Sequence, residues 1–185
     1  MEYLKGIQRF EPINEQEIND RLVILEFIAH HPKTILTREN QVAHLTSSGL
    51  IMNADLSKVL MVHHNIYKTW TWTGGHVDGN ADFLEVAIRE AIEETGVKAI
   101  KPFSEEIISI DILPVYGHIK GSRYVSAHLH LNITYVLIAD ENEALVVKPD
   151  ENSGVKWVPV TALEAHSNEP YLIDIYRKII DRVKL

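Results

Sequence analysis

The segment REAIEETG, Arg89 to Gly96, holds one base and three carboxylates: Glu90, Glu93 and Glu94. At 3.6 residues per turn, acids at i, i+3 and i+4 share one face of a helix. Each like-charge pair at that spacing costs a few tenths of a kcal/mol, on the order of 0.2–0.5. The face lies away from the apolar stripe Leu84, Ala87, Ile88 and Ala91 that such a helix would bury. An oxygen-only cluster of this kind suits a hard cation such as Mg²⁺, Mn²⁺ or Ca²⁺. The competing reading is a plain solvated helix face. Arg89 points elsewhere and follows Glu85 by four residues, a favourable order for a helix ion pair. Just before this segment, Gly74, Gly75 and Gly79 interrupt the chain and permit a tight loop.

Local patterns define the elements that must position these groups. Asp82 to Glu94 is predicted as helix, with Asp82 and Glu85 as a capping box and Gly96 as the C-terminal stop. HLTSSGLIMNADLSKVLMVHH is predicted as two strands joined at Asn53-Ala54-Asp55. In KTWTWTGGHVDG, alternation puts Trp70 and Trp72 on one face and Thr69, Thr71 and Thr73 on the other. Residues 106–139 are rich in strand patterns, HLHLNITYVLI being the clearest. A last helix should follow Ser167-Asn168-Glu169-Pro170, with Leu172, Ile175, Ile179 and Val183 at helical spacing. Residues 12–40 open as a helical segment in which Ile18, Leu22, Leu25 and Ala29 make the apolar face, ending at His30-His31-Pro32. The expected fold class is α+β, a mixed sheet between helices. Residues 1–40 are assigned to an N-terminal helical extension and 41–185 to the main domain.

Composition narrows the function. The chain has 185 residues, 45% hydrophobic and 24% charged, ordinary values for a soluble globular domain. A net charge of −8 argues against nucleic acid as a partner, since tracking phosphates needs a basic face. The absence of cysteine excludes disulfides, zinc–thiolate sites and thiol nucleophiles. No apolar run has the length of a membrane span, and the first twenty residues do not read as a signal peptide, so a cytoplasmic protein with no membrane partner is expected.

With these residues in place, the pattern Gly75-x5-Ala81-x7-Arg89-Glu90-Ala91-Ile92-Glu93-Glu94-Thr95-Gly96-Val97 resembles the Nudix box. It departs from the family pattern chiefly at Ala81, where the family has a glutamate. GGHVDG also resembles the glycine run that leads into the box. The resemblance implies an αβα sandwich and a hydrolase that cleaves a nucleoside diphosphate linked to another moiety. It implies Glu90, Glu93 and Glu94 as ligands of Mg²⁺ (or Mn²⁺), Gly74 and Gly75 as shapers of the site, and Arg89 as a brace for the carboxylates. The general base would be Glu94 or a carboxylate on a late loop, for which Glu151 is the candidate, with a solvated turn as the competing reading. The alternatives are a nucleotide-sensing domain without turnover and an isomerase of isopentenyl diphosphate; the latter uses a cysteine that this chain does not have.

Further residues are candidate substrate contacts. Trp70, Trp72 and Tyr67 could stack a nucleobase, although tryptophan more often packs in cores. His128 and His130 project with Asn132 from one strand face and could meet phosphate or ribose. His76, inside the glycine loop, could be an extra ligand or a substrate contact. A small nucleotide-like diphosphate is the expected partner. A homodimer is also expected, because an apolar stripe outside the main fold needs a partner surface.

Overall fold

The computed structural model describes residues 2–184. Two helices come first, α1 (Glu2–Arg9) and α2 (Glu15–His30). They are followed by strands β1 (Ala43–Met52), β2 (Lys58–His64), β3 (Trp70–Thr71) and β4 (Thr73–His76), then helix α3 (Phe83–Thr95). Strands β5 (Lys101–Pro102), β6 (Ser109–Val115), β7 (His118–Lys120), β8 (Arg123–Val125), β9 (His128–Ile138) and β10 (Asn152–Pro159) come next. A 3₁₀ turn (Val160–Ala165) leads into helix α4 (Pro170–Lys184).

The sheet is mixed and eight-stranded. Its spine is β10-β2-β1-β9-β5, with β3 on β2, β4 on β1 and β6 on β9. Strands β1 and β9 are parallel, in register from Ala43–Leu129 to Met52–Ile138. Every residue of β1 is buried, as expected for a central strand covered on both faces. On one face, Leu45, Ile51, Leu131 and Leu137 pack with Ala87 and Ala91 of α3. On the other, Leu50, Met52 and Val136 pack with Tyr176, Ile179 and Ile180 of α4. The expected α+β sandwich is therefore present.

Helix α3 starts and stops where local chemistry dictates. The Asp82 side chain accepts from the Glu85 N–H at 3.0 Å, and Gly96 ends the helix at φ 74°. Its buried face is Phe83, Val86, Ala87, Ala91, Glu94 and Thr95; Leu84 and Ile88 pack at its margin. The predicted stripe is thus correct at Ala87 and Ala91 and rotated elsewhere, so that Glu94 faces inward.

The first helices depart further from expectation. Helix α1, a separate helix ahead of the helical segment expected from residue 12, buries Tyr3 and Ile7, and Phe10 follows them. Helix α2 buries Glu17, Ile24 and Ile28, while Ile18 and Leu22 of the expected apolar face are exposed. Ion pairing sets this rotation. The Glu17 carboxylate meets Arg182 at 2.8 Å and Lys178 at 3.1 Å, both from α4, and Lys178 meets Asp111 of β6 at 2.6 Å. Tyr3, Ile7, Ile24 and Ile28 belong to the same apolar cluster as Leu45 and Ala87.

Candidate active site

Strand β4 and helix α3 create the site through close approach. Gly74 and Gly75 pair with Ser48 and Ser47 of β1. A Cβ at Gly75 would lie 2.5 Å from the Glu90 carboxyl carbon, and one at Gly74 would collide with Ser48 Oγ. The bare backbone at Gly75 leaves room for the Glu90 carboxylate, and that at Gly74 for the close pairing with β1. The Gly74 N–H donates to Glu94 Oε1 at 2.9 Å, and Asn152 Nδ2 holds the Glu94 carbonyl at 2.9 Å.

The three predicted ligands occupy different surroundings. Glu94 is buried; burial, with the charges of Glu151 and Glu90 adding to it, pushes its carboxyl up to about 8, against the opposing Gly74 N–H and Lys148. Glu90 is half-buried and accepts from Arg89 at 2.9 Å. Glu93 is exposed and turned to Lys148 at 3.1 Å and Arg89 at 3.9 Å. Arg89 therefore braces Glu90 and Glu93, not Glu85, whose carboxylate instead takes the Asn80 amide at 3.0 Å. Ala81 has no carboxylate to offer, Asp82 is engaged as the helix cap and Glu85 with Asn80, so none of them adds to the cluster. Glu151 sits on the loop before β10, 3.1 Å from Lys148. Glu90, Glu94 and Glu151 line one cleft of about 1120 Å³.

The same cleft runs along the face of β1 and β9. Thr46 and Ser48 hydroxyls both donate to Asn132 Oδ1 at 2.9 Å, a buried polar floor. Beyond it, His44, His76, His128 and His130 bring one ring nitrogen each within 4.8 Å of one another. Burial, then the neighbouring imidazoles, push His130 down to about 2; burial and His44 push His76 to about 4. Burial also lowers His44. His128, His130 and His76 were readable as candidates. His44 was not, because its role depends on pairing with His130 across the parallel register.

Among the aromatics, Trp72 lines the cleft but is largely buried, edge-on to Tyr176 with centroids 5.1 Å apart. Trp70 carries Lys156 over its ring at 4.0 Å. Tyr67 stacks on His64 at 4.5 Å and borders the cleft.

This fold recurs in known proteins. The NUDIX domain profile matches residues 43–182. The chain belongs to the NUDIX family and is by class a pyrophosphohydrolase. A probable DHNTP pyrophosphohydrolase of Lactococcus lactis is 24% identical over 140 residues, 75% of this chain and 80% of that protein. The dihydroneopterin triphosphate pyrophosphohydrolase of E. coli superposes with TM-score 0.54 at 16% identity, covering 74% of this chain and 95% of that one. A NUDIX-family hydrolase of Clostridium perfringens gives 0.53 at 22% identity, covering 75% and 96%. A C. elegans Ap4A hydrolase complex gives 0.52 at 16%, covering 72% and 93%. Among the described residues, no helix is long and apolar enough to cross a membrane.

Proposed function

We propose that this chain is a divalent-metal-dependent hydrolase that cleaves a phosphoanhydride bond in a small heterocycle-bearing di- or triphosphate. The observation that carries the reading is the buried Glu94 carboxylate, whose charge is opposed by Glu90 and Glu151 with too little cation around it. A carboxyl group pushed to about 8 by burial and like charge marks a site built for an absent positive charge. The donor set is all oxygen and fits Mg²⁺ or Mn²⁺. Glu90, Glu93 and Glu94 are the residues that would hold it, and bound there it would neutralise phosphate charge and make a coordinated water more acidic.

The remaining roles fall to the protein's own groups. The Gly74 N–H fixes the orientation of Glu94. Arg89 holds Glu90 in place. Glu151 is the candidate to take the proton from the attacking water, because it faces the cleft and its side chain is free of main-chain amides. Tyr67 on His64 offers a flat platform for the heterocycle. A dihydroneopterin triphosphate hydrolase and an Ap4A hydrolase among the similar proteins favour a ring system joined to a polyphosphate. The exposed Ile18, Leu22 and Val23 of α2 support the expected homodimer, which sedimentation analysis would test.

The test is turnover of a panel of nucleoside and pterin polyphosphates and nucleoside diphosphate derivatives with Mg²⁺ or Mn²⁺. Glu94→Gln should lower activity by orders of magnitude and weaken the dependence on metal. Glu151→Gln should lower kcat while leaving the metal concentration for half-maximal rate unchanged. Full activity of Glu94→Gln would sink the assignment.

A further inference from the structure

Four imidazoles meet at the end of the cleft, and the hydrolase reading gives them no task. They come from three strands: His44 on β1, His76 on β4, and His128 and His130 on β9. We infer that His44, His76, His128 and His130 form a second metal site, a closed four-nitrogen cage for a borderline transition ion of the Zn²⁺ type. It is chemically distinct from the carboxylate site and does not depend on it.

Geometry carries the assignment. Zinc–imidazole bonds of about 2.0–2.1 Å in a tetrahedron put ligand nitrogens roughly 3.3 Å apart and ring centroids about 5 Å apart. The Nε2 atoms of His128 and His130 are 3.2 Å apart. His44 lies 5.0, 4.9 and 5.3 Å, centroid to centroid, from His76, His128 and His130. His130 lies 4.9 Å from His76 and 5.1 Å from His128. Five of the six ring pairs stand at the spacing a tetrahedral ion would set, and one nitrogen from each ring lies within 4.8 Å of the others, so small rotations of the rings would close the cage.

Hydrogen bonding also sets the lone pairs. His44 Nδ1 is 2.9 Å from the Asn40 carbonyl, which can only accept, so Nδ1 carries the proton and Nε2 the lone pair. His128 repeats the arrangement, with Nδ1 2.8 Å from the Ser126 carbonyl. Fixing the tautomer through a backbone carbonyl is how ligating histidines are commonly oriented. A proton on His130 Nε2 could serve His128 without any metal. It does not serve His44, whose Nε2 is buried in a residue only 4% exposed and has no hydrogen-bond partner among the described residues. A buried acceptor left unpaired is destabilising, and coordination would remove that cost.

The ligand type selects the ion. Neutral imidazole suits Zn²⁺, Co²⁺, Ni²⁺ or Cu²⁺ and is a poor ligand for Mg²⁺. With all four positions supplied by protein, the site is structural in kind. It would tie the starts of β1 and β9 to the end of β4, next to the glycine pair that admits Glu90 and Glu94.

The test uses the full chain, stripped with chelator and then given Co²⁺ or Zn²⁺ in excess Mg²⁺. We expect one Zn²⁺ per chain and, with Co²⁺, the intense visible absorption of a tetrahedral ion. His44→Ala and His130→Ala should each weaken binding by more than the 10–100-fold that loss of a supporting contact costs. His128→Gln, at the more exposed position, serves where those variants fail to fold. Glu90→Gln and Glu94→Gln should leave Zn²⁺ stoichiometry and the Co²⁺ spectrum unchanged, whatever they do to hydrolysis. The proposal is overturned by absence of stoichiometric binding in the unaltered protein, by an octahedral Co²⁺ spectrum, or by binding that survives the histidine changes and disappears with the glutamates.

Discussion

Two buried carboxylates sit on two helices of this protein and do opposite things. Glu17 of α2 is fully buried, yet Arg182 and Lys178 reach it at 2.8 and 3.1 Å. Glu94 of α3 is nearly as buried, but the charges that act on it most are those of Glu151 and Glu90, with Lys148 acting less. The first cluster is closed: Ser109 adds hydrogen bonds to Glu17 and Asp111, and Lys178 joins both acids. The second is left short of cations and opens into a cleft. A buried charge that is fully paired fastens elements together, here α2 to β6 and α4. One left underpaired holds its free energy in reserve for a ligand.

The contrast can be broken by exchanging what each acid has. Glu94→Gln should reduce hydrolysis by on the order of 10²–10⁴-fold, with the melting temperature unchanged or raised in chelator, read by turnover and calorimetry. Glu17→Ala should do the reverse. Removing one member of a buried ion cluster should cost about 3 kcal/mol in denaturant unfolding, with little change in activity per folded molecule.

Titration sharpens the difference. The Glu94 carboxyl is ordinarily near 4.5 and is pushed up to about 8 in the fold. Between these values the folded chain binds more protons than the unfolded one, so metal-free stability must fall as pH rises. The contribution is fully present below 4.5 and lost by about 8. That stability should disappear across the window, and Glu94→Gln should flatten the slope. Saturating Mg²⁺ should flatten it too, since a bound cation favours the ionised form.

Smaller effects lie at the edges of the open cluster. At Gly75→Ala the new methyl meets the flexible end of Glu90, so the carboxylate gives way and the backbone does not. Activity should fall roughly tenfold, about 1.4 kcal/mol, with the melting temperature nearly unchanged. Lys148→Ala removes the partner of Glu93 and Glu151. Because these are partly exposed pairs, of about 0.2–1 kcal/mol, Mg²⁺ affinity in the assay should rise only a few-fold.

Much of the active site was legible because its signals are local. Glu90, Glu93, Glu94 and Arg89 lie within six residues of one another, and helical geometry gathers them on one turn and a half. Gly74 and Gly75 suggested a tight loop; the structure runs them through β4, where their missing side chains serve a close approach instead. The face of α2 was not legible. Its apolar spacing indicated Ile18 and Leu22, but the partners that turn Glu17 inward are Lys178 and Arg182, at the far end of the chain. Periodicity counts apolar residues and is blind to a charge that brings its own counter-ions.

The sequence by itself determined the helix that carries the carboxylates, the glycine entry to it and the family to which the chain belongs. Each rests on spacing within a few turns of backbone. Only the tertiary structure decided that Glu94 is buried and Glu93 is not, that Glu151 shares a cleft with Glu90 and Glu94, and that His44 meets His130. Those facts depend on strand register and on the close passage of α3 past β4, which bring together residues far apart along the chain. Burial and unlike surroundings then give identical side chains different chemistry.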